Sequence, residues 1–187
     1  MNRPMSAAGA VPAYRKLTLS ALFLALALVL PFLTGQLKEL GSMLCPMHIP
    51  VLLCGLLCGW PWGLAVGVLS PLLRSVLFGM PPMFPIGVSM AFELAMYGAV
   101  AGALYRGLPG RGAGRVYAAL LPAMVAGRLV WGLVRFLIAG LQHTQFTLEL
   151  FLAGAVTTAL PGIVLQLALI PLLVLAVERH TAAPQAD

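Results

Sequence analysis

The stretch that decides how this chain folds is residues 45–59, CPMHIPVLLCGLLCG. It contains all three cysteines of the chain, one histidine, two prolines and no charged residue. An apolar run that follows proline and ends in glycine predicts a helix in a hydrophobic environment. Cys45, His48, Cys54 and Cys58 are also residue types that bind soft metal ions, so the same stretch raises a metal site as a second interpretation.

The composition indicates a membrane protein. Of the 187 residues, 61% are hydrophobic and 9% are charged, and the mean hydropathy is +1.00. A soluble domain of this size cannot bury so much apolar surface, because small folds keep a high ratio of surface to volume. The net charge of +6 does not indicate nucleic-acid binding, because the basic residues form neither a patch nor a stripe. Three cysteines in such a chain do not predict a disulfide framework.

Six apolar segments predict an all-α bundle of six transmembrane helices. "GWPWG" between the second and third segments predicts a tight hairpin, in which proline stops one helix and glycine permits the turn. "GMPPMFP" between the third and fourth predicts a non-helical connection. The segments are roughly residues 17–33, 46–60, 62–78, 86–105, 117–139 and 152–177.

The distribution of Lys and Arg predicts the orientation. With six helices both termini lie on one side of the membrane, and seven basic residues fall on that side against Lys38 on the other. Because basic loops stay inside, we expect both termini in the cytoplasm of a multi-pass cell-membrane protein. The seven are Arg3, Arg15, Lys16, Arg106, Arg111, Arg115 and Arg179. The expected organisation is a cytoplasmic segment at 1–16, the six-helix domain at 17–178 and a cytoplasmic, disordered tail at 179–187.

Four charged residues fall inside predicted helices: Arg74, Glu93, Arg128 and Arg135. Each costs about 2.5–3.5 kcal/mol at mid-helix, so they should face the bundle interior and are candidates for function. Arg128 and Arg135 are seven residues apart and share a helical face. The spacing leaves two interpretations open. Glu93 pairs with one arginine while the others reach the headgroups, or the surplus positive charge binds an anionic ligand.

Aromatic and polar side chains near these charges can complete a pocket. Tyr97 follows Glu93 by one helical turn, and Trp131 lies between the two arginines of the fifth helix. Gln142, His143 and Gln145 fall in the loop that we expect on the outer side. Packing against lipid or core is the alternative for Trp131, and ordinary solvation is the alternative for the loop residues.

The arrangement resembles a known family. "PMHIPVLLCGLLCGWPWGLAVGVLSPLLRSVLFGMPPMFP" and "AFELAMYGAVAGALY", with six short helices and a basic N-terminus, resemble the S components of energy-coupling factor (ECF) vitamin transporters. The resemblance covers about residues 17–177. It implies a subunit that captures a vitamin or related micronutrient outside the cell, and the surplus arginines indicate that this ligand is anionic. That subunit docks on a transmembrane coupling subunit, and two ABC-type ATPases drive import.

The resemblance also implies residue roles. Ala21 and Ala25, an AxxxA pair in the first helix, correspond to the docking surface. The first outer loop and helices four to six correspond to the substrate site. "MHIP" is similar to the N-terminal metal-binding motif of cobalt and nickel S components, but here Met47 is internal and Val51 replaces the expected acidic residue. We therefore assign no metal and no cofactor, and place His48 at the rim of an organic-substrate pocket. The expected substrate-binding residues are His48, Arg74, Glu93, Tyr97, Arg128, Trp131, Arg135 and Gln142.

Other functions remain as alternatives. A self-sufficient secondary carrier for a small organic anion can be built from six helices and can use Glu93 for proton coupling. A cobalt or nickel uptake component and an intramembrane enzyme are weaker alternatives. No nucleophile stands beside a base in a recognisable motif. The chain contains no Walker sequence for ATP hydrolysis, so we expect a transport subunit rather than an enzyme.

Overall fold

The computed structural model describes residues 12–34, 43–110 and 112–182, and every regular element within these ranges is helical. A 3₁₀ turn at Leu30–Thr34 extends the first helix, and π-helical turns at Met83–Gly87 and Ala153–Thr157 precede the fourth and last helices. The predicted all-α bundle is confirmed, with α6 and α7 together forming the sixth helical region. The helices are α1, Ala13–Val29; α2, His48–Cys58; α3, Trp60–Phe78; α4, Val88–Gly107; α5, Ala113–Leu141; α6, Leu148–Leu152; and α7, Leu160–Ala182.

Within the described residues, five helical stretches are long and apolar enough to cross a membrane: Ala13–Leu33, Trp60–Phe78, Met83–Gly107, Ala113–Leu141 and Leu148–Arg179. The sixth, α2, has 11 residues and spans about 16 Å, half of a bilayer core of about 30 Å. Ten of its residues are buried, because α1, α3, α4 and α7 pack around it. The helix within residues 45–59 is therefore the central element of the bundle.

Two local predictions were wrong in detail. The turn between α2 and α3 is Gly59 alone, with φ of 103°. Pro61 lies in the first turn of α3, where the missing N–H costs nothing, so this proline starts a helix rather than stopping one. The predicted disordered tail is helical as far as Ala182. The connection between α3 and α4, in contrast, is non-helical at residues 79–82 and at Phe84, as predicted.

Glycines bring α2, α3 and α4 into backbone contact. A methyl group added at Gly98 would lie 2.2 Å from the carbonyl oxygen of Gly63, and one at Gly55 would lie 2.3 Å from the carbonyl oxygen of Gly98. Small residues at such crossings permit close van der Waals packing, which drives helix association in lipid. This packing places the first turns of α2 and α4 side by side.

Polar contacts tie several helix ends together at one end of the bundle. Arg106 donates to the carbonyl of Cys58 at the end of α2, an acceptor that the helix cannot satisfy itself. Tyr105 donates to the carboxylate of Glu178 on α7, and Arg115 Nε donates to the carbonyl of Tyr105 over 2.7 Å. We call this the basic end. Its described basic residues are Arg15, Lys16, Arg106, Arg115 and Arg179; Arg3, Arg111 and Lys38 lie outside the described residues.

Candidate functional site

An ion pair between α4 and α5 forms the centre of the candidate site. Arg128 Nη1 lies 2.9 Å from Glu93 Oε1, and the two side chains are 14% and 2% exposed. The pair lies inside the bundle, where leaving either charge alone costs several kcal/mol. Each therefore requires the other, and the expected pairing of Glu93 with one arginine is what the structure contains.

His48 and Tyr97 complete the buried group that we call the polar cluster: His48, Glu93, Tyr97 and Arg128. His48 Nε2 lies 3.4 Å from the same Glu93 oxygen, and its ring packs against that of Tyr97 with centroids 5.2 Å apart. Tyr97 is one helical turn after Glu93 and fills the space beside Gly127. His48 is 3% exposed, so it belongs to the interior of the site rather than to its rim.

The segment immediately before α2 covers the polar cluster. Cys45 Sγ lies 3.7 Å from Arg128 Nη2, and Met43 and Leu44 lie against Gly162 of α7. This segment contacts both α5 and α7 and closes the site at the end of the bundle opposite to the basic end.

The three cysteines and His48 do not form a common metal site. Cys54 donates to Ser20 over 3.5 Å on the side of α2 that faces α1, and no disulfide joins any two of the three cysteines. Among the described residues, no group of three or more His, Cys, Asp or Glu side chains is placed to hold a metal ion.

An aromatic group lies beyond Arg128 in the direction of the loop after α5. Trp131 packs edge-on to Phe146 at 5.9 Å and lies tilted against Phe151 at 6.2 Å, measured between ring centroids. Arg135 lies over the ring of Phe146, 5.7 Å from its centroid, and is half-buried. We call Trp131, Phe146 and Phe151 the aromatic wall. Gln142 ends α5 and is exposed, away from the polar cluster.

The structure does not bring Arg74 into contact with the polar cluster within the described residues. Its guanidinium lies over the rings of Phe32 and Phe78, at 4.8 and 5.4 Å from their centroids, and donates to the carbonyl of Leu28. The side chain is 3% exposed. These contacts join α1 to α3, so the geometry gives Arg74 a packing position between two helices.

One buried polar residue was missed by the sequence analysis. Gln166 of α7 is 1% exposed, and neither atom of its amide has a hydrogen-bond partner within the described residues. It is the sole polar side chain between positions 160 and 177. A single polar residue in an apolar segment was the signal that the sequence offered, because a polar residue inside a membrane helix faces the protein interior. Gln166 is neutral, so it is not among the charged residues inside the predicted helices.

The charged residues of the site are Glu93, Arg128 and Arg135. Glu93 balances Arg128, so the positive charge beyond this pair lies on Arg135, next to the aromatic wall. The site thus has a buried group rich in hydrogen-bonding atoms at one end and a cation near the loop at the other. Arginine suits carboxylate or phosphate at the loop side because its guanidinium has a fixed fork of donors.

The first helix carries the predicted docking residues on its surface. Ala21 and Ala25 are exposed, and Phe23 and Ala27 are buried. The alanine pair therefore lies on the side of α1 that faces away from the bundle and is available to another protein or to lipid.

Comparison with known proteins identifies the family. Residues 15–174 match the family model described as "ECF transporter, substrate-specific component". The comparisons with curated proteins and with solved structures found no significant match. The match covers most of the chain and agrees with the helical, membrane-spanning architecture, so this multi-pass cell-membrane protein belongs to the family of substrate-specific components of ECF transporters, which are transport subunits that bind a small molecule and associate with a coupling subunit and ATPases.

Proposed function

We propose that this chain captures a vitamin or related micronutrient at the outer face of the membrane. The observation that supports the proposal is the buried polar cluster, because ionised side chains inside a membrane bundle are costly and commonly mark a ligand site or a pathway. The ligand lies between the polar cluster and the aromatic wall, and its anionic group is bound by Arg135.

The proposed orientation places the basic end in the cytoplasm. The described basic residues at the helix ends lie at that end, which follows the positive-inside rule. The polar cluster then lies in the outer half of the bundle, and the segment at 43–47 closes it on the outer side. A subunit that captures its ligand outside needs its site in this half.

The proposed route of import depends on partners. The exposed face of α1 with Ala21 and Ala25 docks on the transmembrane coupling subunit, because small side chains let another helix approach closely. Two ABC-type ATPases attached to that subunit supply the energy. The family assignment supports this assembly, and the exposure of both alanines supports the surface.

Reconstitution tests the proposed function. The full chain is placed in liposomes either alone or with a coupling subunit and two ATPases, together with the ligand identified by native mass spectrometry of the purified protein. Uptake is expected only with the complete assembly and with ATP on the side of the liposome membrane where the ATPases lie. Uptake by the chain alone, driven by an ion gradient, would instead establish a secondary carrier.

A further inference from the structure

Several buried polar atoms have no hydrogen-bond partner within the described residues. They include His48 Nδ1, Arg128 Nε and both amide atoms of Gln166. A buried amide left without partners costs about 1–3 kcal/mol, and native interiors rarely contain such groups. Gln166 is 99% buried, since its exposed fraction is 1%. Unlike a residue on an open surface, it cannot be satisfied by bulk water.

The fold places Gln166 on the face of α7 that packs against α2 and the segment before it. A methyl group at Gly162 would lie 2.6 Å from the carbonyl oxygen of Met43, so this part of α7 lies against the segment that precedes α2. Gln166 follows Gly162 by one helical turn on the same face. His48 follows Leu44 by four residues, and α2 packs on α7 with both helices running toward the basic end. Gln166 and His48 are therefore at the same depth in neighbouring helices.

These groups share a hydrogen-bonding chemistry. The Gln166 amide offers one donor group and one acceptor in a plane, and it can bind another amide or a nitrogen heterocycle with two parallel hydrogen bonds. When the proton of His48 is on Nε2, facing Glu93, its Nδ1 carries a lone pair and accepts a hydrogen bond. Because Arg128 and Glu93 neutralise each other, this end of the site provides polar atoms without a net charge.

We infer that Gln166 is a specificity-determining residue, and that with His48 it binds an uncharged group with adjacent donor and acceptor atoms, such as an amide, a cyclic urea or a lactam-like heterocycle. The inference rests on the proposed function and adds a substrate class to it. Arg135 is seven residues beyond Arg128, about 10 Å along α5. The ligand then has two different ends: an anionic group at Arg135 and an uncharged amide-like group at Gln166, with its apolar middle on the aromatic wall.

Two probes of the same shape test this inference. The monoamide of adipic acid carries a carboxylate at one end and an amide at the other, and 6-methylheptanoate replaces the amide oxygen and nitrogen with methyl groups. Binding of each to the full chain in lipid nanodiscs is measured by isothermal titration calorimetry. The wild-type protein is expected to bind the monoamide at least about 10-fold more tightly, because a site built for hydrogen bonds rejects an analogue that lacks them.

Substitutions assign the preference to Gln166. Gln166→Leu should weaken binding of the monoamide and so bring the ratio of the two affinities to about one. Gln166→Glu keeps the shape of the side chain but removes the NH₂ donor, so it should also weaken binding of the monoamide. Ser70→Ala is the matched control. Ser70 is also fully buried with an unpartnered hydroxyl, but it belongs to α3, which contributes no side chain to the polar cluster. This variant should keep the wild-type ratio.

Three results would overturn the inference: no binding of the monoamide, equal affinity for the two probes, or an unchanged ratio in Gln166→Leu that elutes as a folded protein. Pull-down of the coupling subunit from the same preparation separates this failure from failure of the proposed function. A chain that assembles with the coupling subunit and still lacks the preference refutes only the substrate class.

Discussion

At the scale of single residues, the ion pair between Glu93 and Arg128 governs both stability and binding. Glu93→Gln leaves the Arg128 charge buried without its partner, so we expect the free energy of unfolding to fall by about 3–5 kcal/mol. Glu93→Gln combined with Arg128→Met removes both charges and should recover at least half of that loss. Unfolding of each variant in mixed micelles measures these differences.

The same pair separates folding from ligand binding. Arg128→Ala should abolish binding of the co-purified ligand while the protein stays folded, because it removes one side chain of the polar cluster and leaves the glycine crossings of the bundle unchanged. Arg135→Met is the stability control. Arg135 is half-buried and lies over an aromatic ring, so its loss should change the free energy of unfolding by less than about 1 kcal/mol. Unchanged ligand affinity in a folded Arg128→Ala protein would remove Arg128 from the site.

At the scale of helices, the crossing of α3 and α4 positions the site. Gly98→Ala places a methyl group 2.2 Å from a backbone oxygen of Gly63, and backbone cannot rotate away as a side chain can. The two helices must separate, at an expected cost of about 1–3 kcal/mol. Ligand affinity should fall as well, because Tyr97 is the residue before Gly98. Thermal unfolding and calorimetry of the variant measure both effects.

Gly107 provides the matched control on the same helix. A methyl group added there has no neighbour within 4 Å. Gly107→Ala should therefore leave affinity unchanged and keep or slightly raise stability, since alanine favours a helix by up to about 1 kcal/mol over glycine. Equal destabilisation by the two substitutions would show that the close crossing of α3 and α4 does not limit stability.

At the scale of the whole molecule, two faces should have separable functions. Ala25→Trp adds bulk to the exposed side of α1 and should reduce ATP-driven uptake at least about 10-fold while ligand affinity stays at the wild-type value. Leu129→Trp is the control. Leu129 is 60% exposed and belongs to α5, a helix that contains no predicted docking residue. Equal loss of uptake in both variants, or loss of ligand binding in Ala25→Trp, would contradict docking through α1.

The orientation of the molecule is tested by labelling. The native cysteines are buried, so single cysteines introduced at exposed sites report the side of the membrane. Thr144→Cys, in the loop after α5, should react with an impermeant maleimide added to intact cells. Gly114→Cys, at the basic end, should react only after the cells are opened. The reverse pattern would place the polar cluster on the cytoplasmic side.

The sequence by itself determined the membrane class, the number of helical regions and the family, because hydropathy and the spacing of prolines and glycines are local properties of the chain. It also identified Glu93, Arg128, Tyr97 and Trp131 as candidates, since charge and large aromatic rings inside apolar segments are visible without a structure. The sequence did not show which arginine pairs with Glu93.

Only the tertiary structure decided which residues meet. The glycine crossings set the depth of α4 against α2, which brings His48 to Glu93, and the packing of α1 on α3 separates Arg74 from both. The structure also brought Cys45 to Arg128 and buried the neutral Gln166. Such contacts join residues 45 to 83 positions apart, and they depend on how helices pack rather than on any periodicity along the sequence.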